Sequence, residues 1–160
     1  MLECDLPSGG ILRLSDQVLK TFHRFRQDTH SKFESGGILL GRIFENVVSI
    51  DQVTTPDSTL DKRGFLFFHR HKGRAQGIIN QAFIQSDGEQ IYMGEWHTHP
   101  QKNPQPSWKD KLEIKRAFRK SRLNLDYLIC IIVGNQDEVA NIWVGYCDEQ
   151  GIRQCTQCSA

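Results

Sequence analysis

Long apolar runs are missing from this chain of 160 residues. No segment is long enough to cross a bilayer, and the first residues (MLECD) are acidic instead of forming a basic and then apolar leader. A charge excess is missing too: the formal net charge is +1, which gives no general attraction to nucleic acid or to an anionic membrane. We therefore expect a cytoplasmic protein with no nucleic-acid and no membrane partner.

Cysteine is present in a number and pattern that do not indicate a disulfide framework. There are five cysteines, an odd number, and Cys130 lies inside an apolar run. Cys155 and Cys158 form a Cys-x-x-Cys pair that could supply half of a zinc site, but no second pair accompanies them. We therefore expect reduced cysteines, and a mobile tail at the end of the chain.

The apolar pattern that is present predicts one domain over residues 1–160, with a C-terminal strand and tail at 146–160. Residues at helical spacing predict three helices, at 16–28, 73–86 and 108–120; Arg122 extends the basic C-terminal end of the third. Short apolar or β-branched runs predict strands at 11–14, 38–40, 46–55, 65–68, 91–97, 126–133 and 139–146. This alternation is compatible with an α/β fold.

Two local patterns refine the strand predictions. Gly36 and Gly37 precede an apolar strand, and paired glycines there allow the backbone to approach another element closely. In the strand that leads to His97, strict alternation places Ile91, Met93 and Glu95 on one face and the intervening residues on the other.

The run Glu95-Trp-His-Thr-His-Pro100 carries the strongest chemical pattern. His97 and His99 are two residues apart, Ser107 follows after seven residues, and Asp110 lies three residues beyond Ser107. Alternation along a strand places both imidazoles on one side, and a helix that begins at Ser107 holds Asp110 in its first turn. Two imidazoles and one carboxylate can form a three-ligand zinc site with an open fourth position.

Other candidates for the site stay open at this stage. His69 and His71 form a second His-x-His pair, but the surrounding cations, such as Arg70 and Lys72, disfavour a metal dication, so we interpret them as part of a basic surface. Glu34 is either a surface carboxylate in a loop or a functional one.

These residues together resemble the JAB1/MPN/Mov34 (JAMM) zinc metallopeptidase family, in its bacterial branch. The family signature is an early Glu and then His-x-His, seven residues, Ser, two residues and Asp. The resemblance implies a cytidine-deaminase-like α+β fold, in which about three helices flank a mixed, curved sheet. It implies one catalytic Zn²⁺ held by His97, His99 and Asp110. It also implies Glu34 as general base and then acid, and Ser107 as a hydrogen-bond donor to the oxyanion, with Glu95 as a rival base.

The resemblance also implies a substrate class. Family members cleave the amide bond after the C-terminal tail of ubiquitin-like proteins, and the short single-domain form resembles deconjugating peptidases of CBASS anti-phage operons. The expected substrate is then a cyclic-nucleotide synthase joined through its C-terminus to a target, with E1/E2-like conjugating enzymes as partners. We expect residues 56–76 and 100–106 to line a groove for that tail. Alternatives are trimming of a sulfur-carrier protein, a noncatalytic scaffold, or a nucleic-acid-associated role.

Overall fold

The computed structural model describes residues 1–121 and 125–160, so Arg122 lies outside the described residues. Three helices are present: α1 (Asp16–Phe25), α2 (Lys72–Gln85) and α3 (Trp108–Lys120). The strands are β1 (Leu2–Asp5), β2 (Ile11–Leu14), β3 (Gly36–Phe44), β4 (Val47–Val53), β5 (Lys62–Gly64), β6 (Phe67–His69), β7 (Ile91–Thr98), β8 (Leu128–Val133), β9 (Ile142–Asp148), β10 (Gly151–Gln154) and β11 (Thr156–Ser159). The three predicted helices are confirmed.

Side-chain caps mark where these helices begin, and serine supplies the caps of α1 and α3. The Ser15 hydroxyl accepts a hydrogen bond from the backbone N–H of Val18 at the start of α1. At the start of α3, Ser107 and Asp110 form a complete capping box. No helix in the described ranges is long and apolar enough to cross a membrane.

Nine strands form one sheet, in the order β10-β9-β8-β7-β3-β4-β2-β1-β11, and β5 and β6 form a separate hairpin. The sheet is mixed, because β2 pairs with β4 and β7 pairs with β8 in parallel while the other neighbours are antiparallel. The predicted mixed sheet with three flanking helices is therefore confirmed, although β3 is longer than the predicted strand at 38–40.

The helices cover opposite faces of this sheet. Val18 and Phe22 of α1 pack into the main core, with alternate residues of the central strands such as Leu39 and Ile131. The other face of β3 packs against α2, and the other face of β8 packs against α3. We call the face under α1 the inner face and the face under α2 and α3 the outer face.

A bulge in β7 overturns the strict alternation predicted for this strand. Leu39 pairs with Gly94 and Leu40 pairs with Tyr92, so Met93 is the extra residue. Ile91 and Met93 belong to the inner core, and after the bulge so does Trp96, whereas Glu95 contacts Tyr92. The prediction that Glu95 shares a face with Ile91 and Met93 is thus wrong. The bulge places Glu95 and His97 on the outer face.

The close backbone approach predicted at the paired glycines is confirmed. A Cβ on Gly37 would lie 2.3 Å from the carbonyl oxygen of Thr54, and one on Gly36 would lie 2.6 Å from the carbonyl oxygen of Trp96. Any larger side chain would push β3 away from its neighbours, so this approach helps to hold the start of β3 beside the end of β7.

The C-terminal residues do not form the reduced, mobile tail predicted from the sequence. Cys4 and Cys158 are disulfide-bonded, and β11 pairs antiparallel with β1. The remaining cysteines, Cys130, Cys147 and Cys155, are free and buried. The half zinc site considered for Cys155 and Cys158 is also wrong, because one thiol is oxidised and the other is buried. Sequence reasoning missed the pair because its two members are 154 residues apart.

Candidate metal centre

The end of β7 and the first turn of α3 bring three polar side chains together. The Nε2 atoms of His97 and His99 lie 3.1 Å apart. Asp110 directs Oδ1 to His97 Nε2 and Oδ2 to His99 Nε2, each at 3.3 Å. The structure therefore joins the two parts of the motif that sequence spacing predicted.

These distances fit a tetrahedral metal ion. Zinc bonds to imidazole nitrogen and carboxylate oxygen at about 2.0–2.2 Å, so two such ligands in tetrahedral geometry are separated by about 3.3 Å. The observed separations of 3.1 and 3.3 Å match that value. The ligand types also suit zinc, since imidazole and carboxylate are among its usual ligands in proteins.

The electrostatics of these groups favour a positive charge between them. Burial acts to lower the pKa of His97, but the hydrogen bond to Asp110 and the charges of Asp110, Glu34 and Glu95 together outweigh burial and raise it. Burial acts to raise the pKa of Asp110, but the hydrogen bonds from both histidines and from the Ser107 N–H, with the charge of His97, outweigh burial and hold it well below its usual value. The same cluster that stabilises a proton on His97 can hold a metal cation in its place.

Glu34 reaches this cluster from the segment before β3. It is 7% exposed. One of its carboxylate oxygens and one ring nitrogen from each of His97 and His99 all lie within 4.8 Å of one another. Burial raises the pKa of Glu34, and the charges of His97 and His99 oppose that shift. Asp110 lies closer to both imidazoles, so Asp110 is the better third ligand and Glu34 is suited to proton transfer.

The β5–β6 hairpin holds the Glu34 segment in position. The Glu34 N–H donates to the carbonyl of Gly64 at 2.7 Å. Arg63 donates from Nε to the Glu34 carbonyl at 2.9 Å and from Nη2 to the Ser35 hydroxyl at 2.6 Å. The hydrogen bonds at the N–H and at the carbonyl of Glu34 therefore limit where its carboxylate can lie.

A buried polar network that sequence reasoning missed ties the same segment to the histidine strand. Thr98 is fully buried; its hydroxyl accepts from the Ser35 N–H and donates to Gln27 Oε1, both at 2.9 Å. The Gln27 amide donates in turn to the carbonyl of Phe65 in the hairpin. The sequence held one signal for Thr98: it lies between two histidines that point outward, so strand alternation directs its hydroxyl toward the core, where the hydroxyl needs a hydrogen-bond partner. Gln27 offered none.

Ser107 is placed beside the cluster as the N-cap of α3. Its hydroxyl accepts from the Asp110 N–H at 3.1 Å, and its own N–H donates to Asp110 Oδ2 at 2.7 Å. Accepting leaves the hydroxyl proton of Ser107 free to donate to another group. The same contacts orient the Asp110 carboxylate toward the histidines.

Glu95, the rival base, lies on the same outer face as His97 but is already engaged. Arg70 donates to its Oε1 from Nη2 at 2.6 Å, and the Tyr92 hydroxyl donates to the same oxygen at 3.1 Å. Burial raises the pKa of Tyr92 well above its usual value, which keeps that hydroxyl a donor. Because Arg70 and Tyr92 already occupy the Glu95 carboxylate, the geometry favours Glu34 as the base.

The second His-x-His pair is separate from the cluster. The side chain of His71 caps α2 by accepting from the Arg74 N–H, and the ring of His69 stacks on Phe67. The one metal-capable cluster found in the described part of the chain includes neither histidine. Trp96 is buried in the inner core, whereas Trp108, at the start of α3, is 75% exposed.

A groove of about 1100 Å³ opens on the outer face between α2 and α3. His97 and Asp110 lie at one end of this groove. Residues 68–70, at the end of β6 and just beyond it, border the groove at the same end. Residues 100–106, which were expected to line such a groove, do not contact it. The end of the 56–76 segment thus lines this groove, and the expectation that both segments line the groove for the tail stays a prediction.

Comparison with known proteins agrees with this geometry. Residues 15–145 match the family described as prokaryotic homologs of the JAB domain. The chain belongs to this family. It is 34% identical over 125 residues to a protein of Pseudomonas aeruginosa named CD-NTase/cGAS isopeptidase, a match that covers 78% of each chain. A relative in Vibrio cholerae with the same name is 30% identical over 86% of this chain and 83% of its own. The predicted family resemblance is confirmed.

Two solved structures share the fold of this chain. The solution structure of DSY2949 from Desulfitobacterium hafniense aligns with a TM-score of 0.56 at 16% identity, covering 89% of this chain and 88% of that one. A protein from Salinibacter ruber aligns with a TM-score of 0.53 at 14% identity, over 89% and 87% of the two chains. At these identities the likeness establishes the fold alone.

Proposed function

We propose that this JAB-domain protein is a zinc-dependent isopeptidase that removes a conjugated protein by hydrolysing the amide bond after its C-terminal residue. The observation that carries the proposal is the three-ligand cluster of His97, His99 and Asp110, with buried Glu34 across from it. The intact set argues against a noncatalytic scaffold, because a scaffold needs neither a carboxylate with a raised pKa nor an open metal position.

Each residue has a defined part in this hydrolysis. When bound, a single Zn²⁺ held by His97, His99 and Asp110 supplies a Lewis acid and a more acidic water. Glu34 accepts the proton of the attacking water and returns it to the leaving amine, a task that its raised pKa suits. Ser107 donates its hydroxyl proton to the oxyanion of the tetrahedral intermediate, while its backbone keeps Asp110 in place.

The relatives indicate the conjugated protein. They are named as isopeptidases of a CD-NTase, so we propose that the substrate here is a cyclic-nucleotide synthase joined through its C-terminus to an amine of a target protein. E1- and E2-like enzymes would form the conjugate in the same cytoplasmic anti-phage (CBASS) system. We propose one catalytic domain over the whole chain.

The test combines metal analysis with cleavage of a defined conjugate. We expect about one zinc per chain after purification without chelators, and release of a CD-NTase from a conjugate in which its C-terminal carboxyl is joined to a lysine of a reporter protein. Glu34→Gln should retain the zinc and lose cleavage by about 10²–10⁴-fold. A double variant of His69 and His71 to alanine is the matched control for the other His-x-His pair and should retain the zinc. A wild-type protein without zinc, or an active Glu34→Gln, would contradict the proposal.

A further inference from the structure

The groove on the outer face extends away from the metal cluster along α3. Asp110 lies in the first turn of this helix and Lys120 is its last residue, and both line the groove. At 1.5 Å per residue, ten residues of helix span about 15 Å. The groove can therefore hold an extended peptide of about four or five residues beyond the cleaved bond.

The floor of the groove is apolar. Its walls come from α2 and α3, including Ile79 and Ile114, and β8 contributes Leu128 and Cys130 to the floor. Phe83 and Ile84 of α2 lie at the far end, where 45% and 74% of their surface is exposed. Such a floor suits an extended peptide in which every second side chain is apolar and packs against the floor.

The charges at the groove are unbalanced in favour of cations. The carboxylates that line it are engaged: Glu95 with Arg70, Asp110 with the histidines, and Glu113 with Lys109. Lys72, Arg116 and Lys120 also line the groove, and none has a carboxylate partner in the described portions of the chain. Arg116 and Lys120 are one turn apart on α3, both exposed, at the end distant from the metal cluster.

We propose that this groove selects substrates whose C-terminal segment is acidic at the third and fifth residues before the cleaved bond, where Arg116 and Lys120 would pair with it. The inference rests on the proposed function. An isopeptide offers an extended chain on its acyl side, while its other side at the bond is a single lysine side chain. The acyl side is therefore the partner that fits a long groove, and its charge must complement the cations there.

Charge-varied peptides test the inference. We would prepare three peptides that carry two Asp, two Asn or two Lys residues at the third and fifth positions before the cleaved bond, are identical elsewhere, and are joined to the ε-amine of a fluorescent lysine. We expect kcat/KM to fall from Asp to Asn to Lys by about three- to tenfold at each step, and the differences to shrink at high salt. Anisotropy with the same peptides measures binding separately from cleavage.

A matched pair of double variants locates the effect. Arg116→Glu with Lys120→Glu should reverse the order of the three peptides in both cleavage and binding. Lys115→Glu with Arg119→Glu makes the same charge change at the same spacing on the same helix, but neither residue lines the groove, so the wild-type order should remain. Circular dichroism would verify that both variants are folded.

The outcomes separate the two proposals. If no peptide is cleaved but the Asp peptide binds most tightly, the proposed hydrolysis is contradicted and the groove inference stands. If all three peptides are cleaved and bound equally, or if the two double variants behave alike, the groove inference is overturned and the isopeptidase assignment survives.

Discussion

Replacing Gly94 with alanine tests whether the bulge in β7 determines where the metal ligands lie. Gly94 has a φ of +149°, which L-residues rarely adopt, and a Cβ added there would lie 1.8 Å from the carbonyl oxygen of Ile129. The contact is with the backbone of the parallel neighbour β8, so no side-chain rotation can relieve it. The strand must either lose the bulge or separate from β8.

The cost follows from these two effects. Holding alanine in such a conformation costs about 1–3 kcal/mol, and displacing a packed strand costs about another 1–3 kcal/mol. A loss of about 2–6 kcal/mol lowers the Tm of a domain of this size by at least about 5 °C. Because the bulge also directs His97 outward, we expect the variant to bind zinc more weakly than the wild type.

Gly77 supplies the matched control. It lies in the interior of α2, and an added Cβ would meet nothing within 4 Å. The same substitution there should raise stability by about 0.5–1 kcal/mol, since alanine favours a helix. Thermal unfolding of the chelator-treated proteins, followed by zinc titration, measures both effects. A Gly94→Ala protein with wild-type Tm and wild-type zinc affinity would refute the reasoning.

Three further predictions concern the surroundings of the site. Thr98→Val leaves the Ser35 N–H and Gln27 Oε1 buried without their partner and should cost at least about 2 kcal/mol in unfolding free energy, whereas Thr98→Ser, which keeps the hydroxyl, should cost less; equal losses would contradict the network. Burial raises the pKa of Glu34, so the protonated carboxyl contributes to the stability of the folded state at acid pH, and this contribution is lost as pH rises through the folded-state pKa. The Tm advantage of metal-free Glu34→Gln over the metal-free wild type should therefore grow from about pH 4 to about pH 8. A constant difference in Tm would argue against a buried carboxylate. Thiol alkylation should label no cysteine in the native protein, three cysteines after denaturation, and five after denaturation and reduction. The free thiols resist labelling in the native protein because burial raises their pKa, that of Cys155 to about 12. Five labels without reduction would exclude the disulfide.

Local patterns in the sequence were sufficient for the helices and for one half of the site. The spacing from His97 to Asp110 places a strand end against a helix start, and the Ser107 capping box is a local interaction that short-range sequence specifies. The predicted bounds of α3 agree with the structure for the same reason. The family resemblance then supplied Glu34, which the structure brings within reach of both histidines.

The disulfide and the polar network depend on contacts between distant segments. Cys4 and Cys158 meet only because β11 returns to pair with β1 at the edge of the sheet. Gln27 and Thr98 are 71 residues apart, and neither position carries a periodic signal that points to the other. Such partners follow from the order of strands in the sheet, which hydrophobic periodicity does not contain.

The sequence by itself determined which residues we propose as metal ligands, because residue type and spacing are set in the short run from His97 to Asp110. Only the tertiary structure decided which face of the sheet carries them. Strict alternation would place His97 with Ile91 and Met93 in the inner core, and the bulge at Gly94 moves it to the outer face. The physical reason is that one extra residue in a strand reverses the side to which every later residue points.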